Sequence, residues 1–451
     1  MFNSYLLLLI YNIYFMKKNS GKKLWRVAKK IMPGGNMFLS KRPERFLPLN
    51  WPVYFSTSKG CTVHDLDKNK YHDMIMSIGT NVLGYSHSAI NSSVIRAIKN
   101  GNMSTLNCPE EPLLAKKLLQ MHKWAGQAKF ARSGGEANAI AIRVARSYTA
   151  KDKVAICGYH GWHDWYLAAN LSKKENLKEH LLPGLKPKGV PKNLKNTIYP
   201  FSYNNFDELS SIVKKNDIGA IKMEVSRNYL PKNNFLKKVR KLATQKKIIL
   251  IFDECTSGFR QTFGGIHKYF GVNPDIATFG KTLGNGHPIT AIIGKKKIMN
   301  SSQSSFISST FWSERVGFVA ALKTLEIMKK TKSWEKITKK GNFIKSQWKI
   351  LAKKNKIKIE IQGISAICSF KVISKYSNHY NTYIAQEMLS KGFLANNSVY
   401  VSTAHTETII KKYLKVMDVC FINISKCENN KKKIKELLKG PVSEQGFIRL
   451  N

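Results

Sequence analysis

The chain has 451 residues, of which 43% are hydrophobic and 23% are charged. This length and composition exclude a small disulfide-stapled scaffold and an intrinsically disordered chain, and they predict two or three domains around at least one large core. The 75 Lys and Arg outnumber the 28 Asp and Glu and give a net charge of +47, but the lysines are spread along the whole chain, so we interpret the charge as a diffuse surface property and expect no nucleic acid partner.

Two features of the sequence bear on its location. The apolar stretch Tyr5–Phe15 is interrupted by Asn12 and follows no basic residue, and it is shorter than the roughly 20 residues that span a bilayer. We therefore interpret residues 1–21 as an extension outside the folded core and expect no membrane partner; an interfacial helix or a membrane anchor is the alternative. Seven cysteines at wide spacings, with no CxxC pair, indicate the reducing cytoplasm.

Residues 22–85 are expected to form one helix and a small β unit. Apolar residues at helical spacing predict a helix over Lys22–Ile31, which the triplet Pro33, Gly34 and Gly35 ends. Short apolar runs separated by turn residues then predict three strands, Val53–Phe55, Thr62–Leu66 and Tyr71–Ile75.

Residues 86–318 are expected to form a large α/β domain, because helices alternate there with short apolar strands. The predicted helices are Glu110–Met121, Glu136–Tyr148 and Asn234–Gln245, and the predicted strands are Ala128–Ala131, Lys153–Cys157, Ile218–Glu224, Ile248–Asp253 and Asp275–Gly280. This alternation is typical of βαβ units around a parallel sheet. Residues 319–451 are expected to form a smaller domain with helices Val319–Met328 and Glu407–Cys427 and a β stretch Ile357–Val372.

Asp253 and Lys281 are the strongest candidates for chemistry. Each follows an apolar strand, and open α/β sheets bind their ligands at the carboxyl ends of such strands. A lysine in this place either grips a phosphate or attacks a carbonyl as a Schiff base. A phosphate-binding P-loop would need a glycine five residues before Gly280, where the chain has Asp275, so only the Schiff-base hypothesis survives.

Other residues meet the requirements of a pyridoxal phosphate site. The acidic Asp253 is suited to hold the pyridine nitrogen protonated, which makes the ring an electron sink. Ser133, Gly134 and Gly135 stand at a predicted strand-to-helix turn, whose free N–H groups can bind a phosphate. Tyr159 and His160 follow the next predicted strand and provide flat groups that can pack on the ring.

The sequence resembles the class III pyridoxal phosphate-dependent aminotransferases, and within them the glutamate-1-semialdehyde 2,1-aminomutase-like group. The resemblance runs from about Leu24 to the C-terminus. It is carried by ordered motifs: Pro33-Gly34-Gly35, GCTVHDLDKNKYHD at Gly60, LGYSH at Leu83, SGGEAN at Ser133, YHGWHD at Tyr159, FDE at Phe252, FGKTLGNG at Phe279 and TAHTE at Thr403.

This resemblance implies fold, cofactor and partners. The expected fold is the α/β fold type I, with a large mostly parallel seven-stranded sheet domain and a smaller α/β domain formed by the chain ends. The expected cofactor is pyridoxal 5'-phosphate, and the expected assembly is a cytoplasmic homodimer in which Thr310 reaches the neighbouring active site. By position, Lys281 resembles the Schiff-base lysine, Asp253 the partner of the pyridine nitrogen, and Tyr159 the residue that stacks on the ring. Ser133, Gly134 and Gly135 resemble the phosphate loop, with His160 as a further cofactor contact.

Departures from the aminomutase pattern fall on the substrate side. Position 41, where the aminomutases have a substrate-binding arginine, holds a lysine, and Arg42 comes one place late. The segments around Arg227 and Arg315 also differ. We predict substrate contacts for Arg42, Glu136, Arg227 and Arg315, with ordinary salt bridges as the alternative for the arginines and a helix-start role as the alternative for Glu136.

The favoured function is intermolecular transfer of an amino group between an amino donor and a carbonyl substrate through a Lys281 Schiff base, in surface polysaccharide or amino-sugar metabolism. Intramolecular transfer, as in a glutamate-1-semialdehyde 2,1-aminomutase, is the first alternative. A non-enzymatic basic protein that binds the cofactor or associates with nucleic acid is the second. No metal is expected, because His160 and His163 have no carboxylate or cysteine cluster to complete a site.

Overall fold

The structure, a computed structural model, describes residues 19–173, 175–181, 183–226, 228–430 and 433–446. The apolar stretch Tyr5–Phe15 and the predicted substrate residue Arg227 lie outside the described residues. Within these ranges, no helix combines the length and the apolar character needed to cross a bilayer.

The N-terminal unit consists of one amphipathic helix and three antiparallel strands. Helix α1, Ser20–Ile31, buries Trp25 and Ala28, and it begins two residues before the predicted start at Lys22. The strands are β1 (Phe55–Lys59), β2 (Thr62–Asp65) and β3 (Lys70–Asp73). The predicted strand Val53–Phe55 is wrong in extent, because the ladder with β2 begins only at Phe55.

The large domain is built on a seven-stranded sheet in the order β4-β10-β9-β8-β7-β5-β6. Its neighbouring strands are parallel, except that β10 runs antiparallel to both β4 and β9. The strands are β4 (Gln127–Ala131), β5 (Lys153–Cys157), β6 (Ile198–Pro200), β7 (Ile218–Glu224), β8 (Ile249–Glu254), β9 (Ile276–Phe279) and β10 (Thr290–Gly294). The expected large and mostly parallel sheet is therefore confirmed.

Helices cover both faces of this sheet, so its central strands are buried and almost continuously apolar. The helices up to the end of the large domain are α2 (Ser88–Lys99), α3 (Glu110–Met121), α4 (Gly134–Thr149), α5 (Asp164–Leu167), α6 (Ala169–Ser172), α7 (Phe206–Lys215), α8 (Phe235–Gln245) and α9 (Lys296–Met299). One apolar layer lies between the sheet and α4, and a second lies on the opposite face under α7 and α8.

The smaller domain joins the two ends of the chain. Its elements are α10 (Arg315–Thr331), α11 (Ser333–Lys354), β11 (Ile359–Gln362), β12 (Ile367–Val372), α12 (Ser377–Ser390), β13 (Phe393–Leu394), β14 (Ser398–Tyr400) and α13 (Glu407–Glu428). Strands β11, β12 and β14 form an antiparallel sheet, whereas β13 adds to β3 of the N-terminal unit in parallel. The predicted β stretch Ile357–Val372 is thus two strands, separated by a turn at Gly363, where φ is 82°.

Candidate active site

The site lies where β8 and β9 end. In their parallel ladder Asp253 pairs with Thr278, so Asp253 and the turn after Phe279 meet at the carboxyl edge of the sheet. Gly280 and Lys281 follow within two residues. The structure therefore brings Asp253 and Lys281 to the same edge, as the two apolar strands of the sequence predict.

Asp253 is buried and its carboxylate is fixed from several sides. Oδ2 accepts hydrogen bonds of 2.8 Å from both Asn138 Nδ2 and His160 Nδ1. Oδ1 accepts from the backbone N–H of Cys255 at 3.0 Å and contacts Thr278 Oγ1 at 3.3 Å. These partners come from four different segments and leave the carboxylate little freedom to turn.

Electrostatics keep this carboxylate ionised. Burial alone would raise the pKa of Asp253, but the ammonium of Lys222 and the hydrogen bond from His160 outweigh burial and hold the pKa below its ordinary value. Because a carboxylate only accepts, the hydrogen bond to Asp253 requires a proton on His160 Nδ1. An ionised, rigid Asp253 is suited to hold a proton on a heterocyclic nitrogen.

Lys281 lies at the start of a 3-10 turn, Lys281–Gly284, with a left-handed backbone φ of 33°. Its Nζ donates a 2.6 Å hydrogen bond to Thr256 Oγ1. Thr256 is itself nearly buried and follows Asp253 by three residues. A left-handed φ costs a non-glycine residue on the order of 1–3 kcal/mol, so the surrounding fold must hold this lysine in place.

The phosphate-loop candidates form the start of α4. Ser133 is the N-cap residue, and with Glu136 it makes a capping box in which each side chain bonds the other residue's backbone N–H. A side chain on Gly135 would lie 2.8 Å from His163 Cε1, so only glycine fits here. The Ser133 hydroxyl and the Ser133 N–H both donate to Glu136 Oε2, at 2.9 and 2.7 Å, so the N–H groups that follow Ser133 at this helix end are the ones that can receive an anion.

Tyr159 and His160 follow β5 through Gly158, whose φ of 111° requires glycine. The Tyr159 side chain is 37% exposed, and its N–H donates to Glu224 Oε2 at 3.1 Å. His160 is fully buried beneath it and bonds Asp253. The exposed Tyr159 ring thus belongs to the residue next to the one that bonds Asp253, and its stacking on a cofactor stays a prediction.

Thr310 lies on an exposed turn, Thr310–Ser313, beside the phosphate-loop candidates of the same chain. Arg132 fixes this turn by donating from Nε to the Phe311 carbonyl at 2.8 Å and from Nη2 to the Trp312 carbonyl at 3.0 Å. Trp312 Nε1 donates to Glu136 Oε1 at 3.0 Å. The turn is therefore tied to the loop while the Thr310 side chain faces outward.

The predicted substrate residues are not gathered at one place. Arg315 makes a two-bond ion pair with Glu110, at 3.0 and 2.8 Å, which is the salt bridge that the sequence left open. Glu136 uses both carboxylate oxygens within the loop, on Ser133 and Trp312. Arg42 packs against Gly34. Substrate contact by these residues stays a prediction.

A cavity of about 310 Å³ lies next to the turn that follows Lys281. Its wall includes Lys41, Ser77, Ile78, Tyr85 and Gly286. Lys41 occupies the position at which the aminomutase pattern has its substrate-binding arginine. The cavity wall therefore has a positively charged side chain at that position, although it is lysine and not arginine.

Several side chains that complete the site were not predicted from the sequence. Asn138 lies within the SGGEAN motif and Thr256 within the segment after Asp253, so their proximity to predicted residues was the available signal. Thr278 lies on β9, three residues before Lys281. Lys222 gave no signal, because it interrupts an otherwise apolar strand only once.

The donor set fits pyridoxal phosphate. An amine at Lys281 suits the aldehyde, a rigid anion at Asp253 suits the ring nitrogen, and the N-terminus of the 16-residue helix α4 suits the phosphate. Gly134 and Gly135 add no side chains of their own at this helix end. The three functions meet at one edge of the sheet.

Comparison with known proteins agrees with this fit. Residues 48–436 match the family described as Aminotransferase class-III. The 3-aminobutyryl-CoA aminotransferase of Cloacimonas acidaminovorans is 35% identical over 358 residues, which cover 77% of this chain and 82% of that protein. The glutamate-1-semialdehyde 2,1-aminomutase of Ruminiclostridium cellulolyticum is 32% identical, over 91% of this chain and 99% of its own length.

Solved structures share the fold. The FumI protein of Sphingopyxis sp. MTA144 superposes with a TM-score of 0.81 at 23% identity, covering 93% of this chain and 99% of its own. An omega-transaminase from Sphaerobacter thermophilus superposes with a TM-score of 0.80 at 19% identity, covering 92% of this chain and all of its own. These similarities confirm fold type I.

Proposed function

Because the chain belongs to the class III aminotransferases, which are pyridoxal phosphate-dependent enzymes, we propose that it transfers amino groups between separate donor and acceptor molecules at the site formed by Lys281 and Asp253. The observation that carries this proposal is the placement of an amine and an ionised carboxylate on adjacent strand ends, with Lys281 Nζ 2.6 Å from Thr256 Oγ1. The N-terminus of α4 lies beside them and supplies the anion site.

The cofactor, when bound, supplies an electron sink for the bonds around the amino-bearing carbon. Lys281 would hold its aldehyde, Asp253 its ring nitrogen, and the backbone of Ser133, Gly134 and Gly135 its phosphate. When an incoming amine displaces Lys281 from the cofactor, its Nζ becomes free to act as a base and takes the proton from the substrate carbon. The same nitrogen then gives this proton to the carbon of the former aldehyde group. Thr256 accepts a hydrogen bond from Nζ and orients it.

Intermolecular transfer is the main proposal, and aminomutase activity is the second. The substrate side differs from the aminomutase pattern in two ways: position 41 is lysine and not arginine, and Arg315 forms an ion pair with Glu110. On the other hand, several relatives at 28–34% identity carry the aminomutase name. An amino-sugar or surface polysaccharide precursor is one acceptor class, and a 3-oxoacyl thioester, by analogy with the 35% identical relative, is another.

The test is a half-reaction assay on purified holoenzyme. Single amino donors are added without an acceptor, and the absorbance band of the aldehyde form is followed; a donor for an aminotransferase converts it to the amine form stoichiometrically. Acceptors of the three classes, a keto sugar nucleotide, a 3-oxoacyl-CoA and glutamate-1-semialdehyde, are then added. Recovery of the aldehyde form with the keto sugar nucleotide or the 3-oxoacyl-CoA supports intermolecular transfer. Conversion of glutamate-1-semialdehyde alone, with no donor, would establish the aminomutase instead.

We also propose a homodimer in which Thr310 serves the neighbouring site. The support is a set of exposed apolar side chains near α4 and the phosphate loop: Trp162 is 70% exposed, Phe306 87% and Phe311 68%. Exposed apolar side chains of this size favour burial against a second copy. Mixing Lys281→Ala and Thr310→Ala chains tests the arrangement, because a hybrid dimer would regain one complete site only if Thr310 acts across the interface.

We propose in addition that residues 22–85, 86–318 and 319–451 delimit the structural parts, although helix α1 already begins at Ser20, within the expected extension 1–21. The ladder between β3 and β13 supports grouping the first and last parts into one small domain. A cytoplasmic location is proposed because all seven cysteines are free thiols, five of them buried.

A further inference from the structure

Lys222 is a buried lysine that the proposed reaction does not use. It lies on β7 and has no exposed surface. Its Nζ has no hydrogen-bond partner among the residues that the structure describes. A buried ammonium without hydrogen bonds is costly, so its retention inside an apolar strand calls for a physical cause.

The register of the sheet directs Lys222 toward Asp253. In the parallel ladder Lys222 pairs with Ile156 on one side and Ile251 on the other, and Glu224 pairs with Asp253. Since residues two apart on a strand share a face, Lys222 and Asp253 point to the same side of the sheet, one pleat apart. That side is the apolar layer under α4.

The charges around Lys222 are few. Burial lowers the pKa of Lys222, and the opposing attraction comes first from Asp253, then from Cys255 and Glu224. Glu224 already accepts a hydrogen bond from the Tyr159 N–H. Asp253 is therefore the main counter-charge of Lys222.

We propose that Lys222 is a positioning residue that shares the charge of Asp253 and thereby weakens the hold of that carboxylate on the proton of the cofactor's ring nitrogen. The inference rests on the proposed function, because it takes Asp253 as the partner of that nitrogen. Two cations, the ammonium and the protonated ring nitrogen, then compete for one anion. The ring nitrogen gives up its proton more readily than it would beside Asp253 alone.

The substitution Lys222→Met tests this competition, because methionine keeps the length of the side chain and removes the charge. Ile251→Met is the matched control: it lies on the same face, is equally buried and changes no charge. Dissociation constants are measured at pH 8 for pyridoxal phosphate and for its 1-deaza analogue, in which a C–H group replaces the ring nitrogen.

We expect Lys222→Met to bind pyridoxal phosphate about tenfold more tightly than the parent chain, since a neighbouring opposite charge shifts a proton equilibrium by about one unit or more. Binding of the deaza analogue should change by less than about twofold in relation to the parent, and Ile251→Met should alter neither constant. The ¹⁵N chemical shift of ring-labelled cofactor should move toward the protonated form in Lys222→Met alone.

Equal changes for the two cofactors, or unchanged or weaker binding of pyridoxal phosphate, would overturn the proposal. Lys222→Leu repeats the test with a second apolar residue; loss of folding in both variants would also contradict it, because the proposal gives the ammonium no structural bond to lose. If the parent chain itself does not bind pyridoxal phosphate, the proposed function fails. That result differs from one in which the parent chain binds the cofactor but the Lys222 substitutions leave its affinity unchanged.

Discussion

Asp253 is the residue whose substitution we expect to reduce turnover and stability most strongly. Asp253→Ala removes the anion that faces Lys222, His160 and the ring nitrogen, and breaking one side of a buried ion pair costs on the order of 3–5 kcal/mol. We expect turnover to fall almost to background and thermal stability to drop. Steady-state kinetics and a melting curve measure both.

Asp217→Ala is the control for this substitution. Asp217 makes its ion pair with Lys151 at a surface where the Asp217 side chain is 72% exposed, so its loss should change neither property appreciably. Near-normal turnover in Asp253→Ala would show that the site residue has been misassigned.

Thr256 gives a finer test at the same scale. Its hydroxyl accepts the 2.6 Å hydrogen bond from Lys281 Nζ. Hydrogen bonds to charged groups are worth about 1.5–3 kcal/mol, so Thr256→Val should reduce kcat about tenfold to a hundredfold. Thr256→Ser keeps the hydroxyl and should restore most of the rate. If valine and serine variants behave alike, the hydroxyl plays no part in orienting the lysine.

Single residues differ in how well the sequence predicts them. Asp253 and Lys281 were predictable because each directly follows an apolar strand, and strand ends locate ligands in this class of sheet. The ion pair of Arg315 with Glu110 was not, since it joins residues 205 positions apart and depends on how α10 packs. The role of Lys222 could not be predicted for a similar reason, because only the register between β7 and β8 shows which side of the sheet it faces.

At the scale of elements, helix α4 links folding to anion binding. Ser133→Ala removes the N-cap acceptor for the Glu136 N–H and should cost about 1 kcal/mol of stability. Because Ser133 also begins the proposed phosphate loop, cofactor affinity should fall as well. Both are measured on purified protein, by thermal unfolding and by titration with pyridoxal phosphate.

Helix α7 offers a matched control for this cap. Asn205 is its N-cap residue and accepts from the Glu208 N–H at 3.1 Å, and it is not among the residues proposed to contact the cofactor. Asn205→Ala should therefore lose similar stability with unchanged cofactor affinity. If Ser133→Ala loses the same stability as Asn205→Ala and also keeps the cofactor affinity of the parent chain, Ser133 acts only as a helix cap.

The predicted elements were accurate to the residue in helix α3 and in two strands that are buried on both faces. Strands β5 and β7 match their predictions to the residue, because continuous apolar runs mark them clearly. Helix α11 was missed, since its lysines mask the apolar face formed by Ile337, Ile344 and Trp348. Strand β10 was also missed; it runs antiparallel between β4 and β9, outside the regular βαβ alternation.

At the scale of the whole molecule, His405 joins the two chain ends. Its Nδ1 accepts from the Ser402 N–H at 3.1 Å and its Nε2 donates to the Asp73 carbonyl, at the end of β3, at 2.8 Å. This geometry requires the neutral ring, and burial lowers the pKa of His405 to about 4. Protonation would break the bond from Ser402 and loosen the joint.

The stability of the joint should therefore depend on pH. The unfolded histidine has a pKa near 6.5, so the contribution of His405 is complete above that value and is lost as pH falls toward 4. At pH 5 the loss amounts to about 2 kcal/mol. We expect a lower melting temperature at pH 5 than at pH 7.5, and a smaller difference in His405→Gln. If His405→Gln shows the same difference in melting temperature as the parent chain, other groups cause the pH effect.

The overall architecture could be predicted only in part. The alternation of strands and helices indicated the parallel sheet, and the motifs indicated the family, but the pairing of β3 with β13 joins residues more than 300 positions apart and leaves no local pattern. The net charge of +47 indicated little about function, because it is distributed over the surface while the site itself is built around one buried anion.

The central claim is that Lys281 is the lysine that holds the cofactor. Borohydride reduction of the holoenzyme, followed by peptide mapping with mass spectrometry, tests this claim most directly. We predict one phosphopyridoxyl group per chain, on the peptide that contains Lys281, and none in Lys281→Ala. A label on another lysine such as Lys222, or no label in a protein saturated with pyridoxal phosphate, would contradict the account.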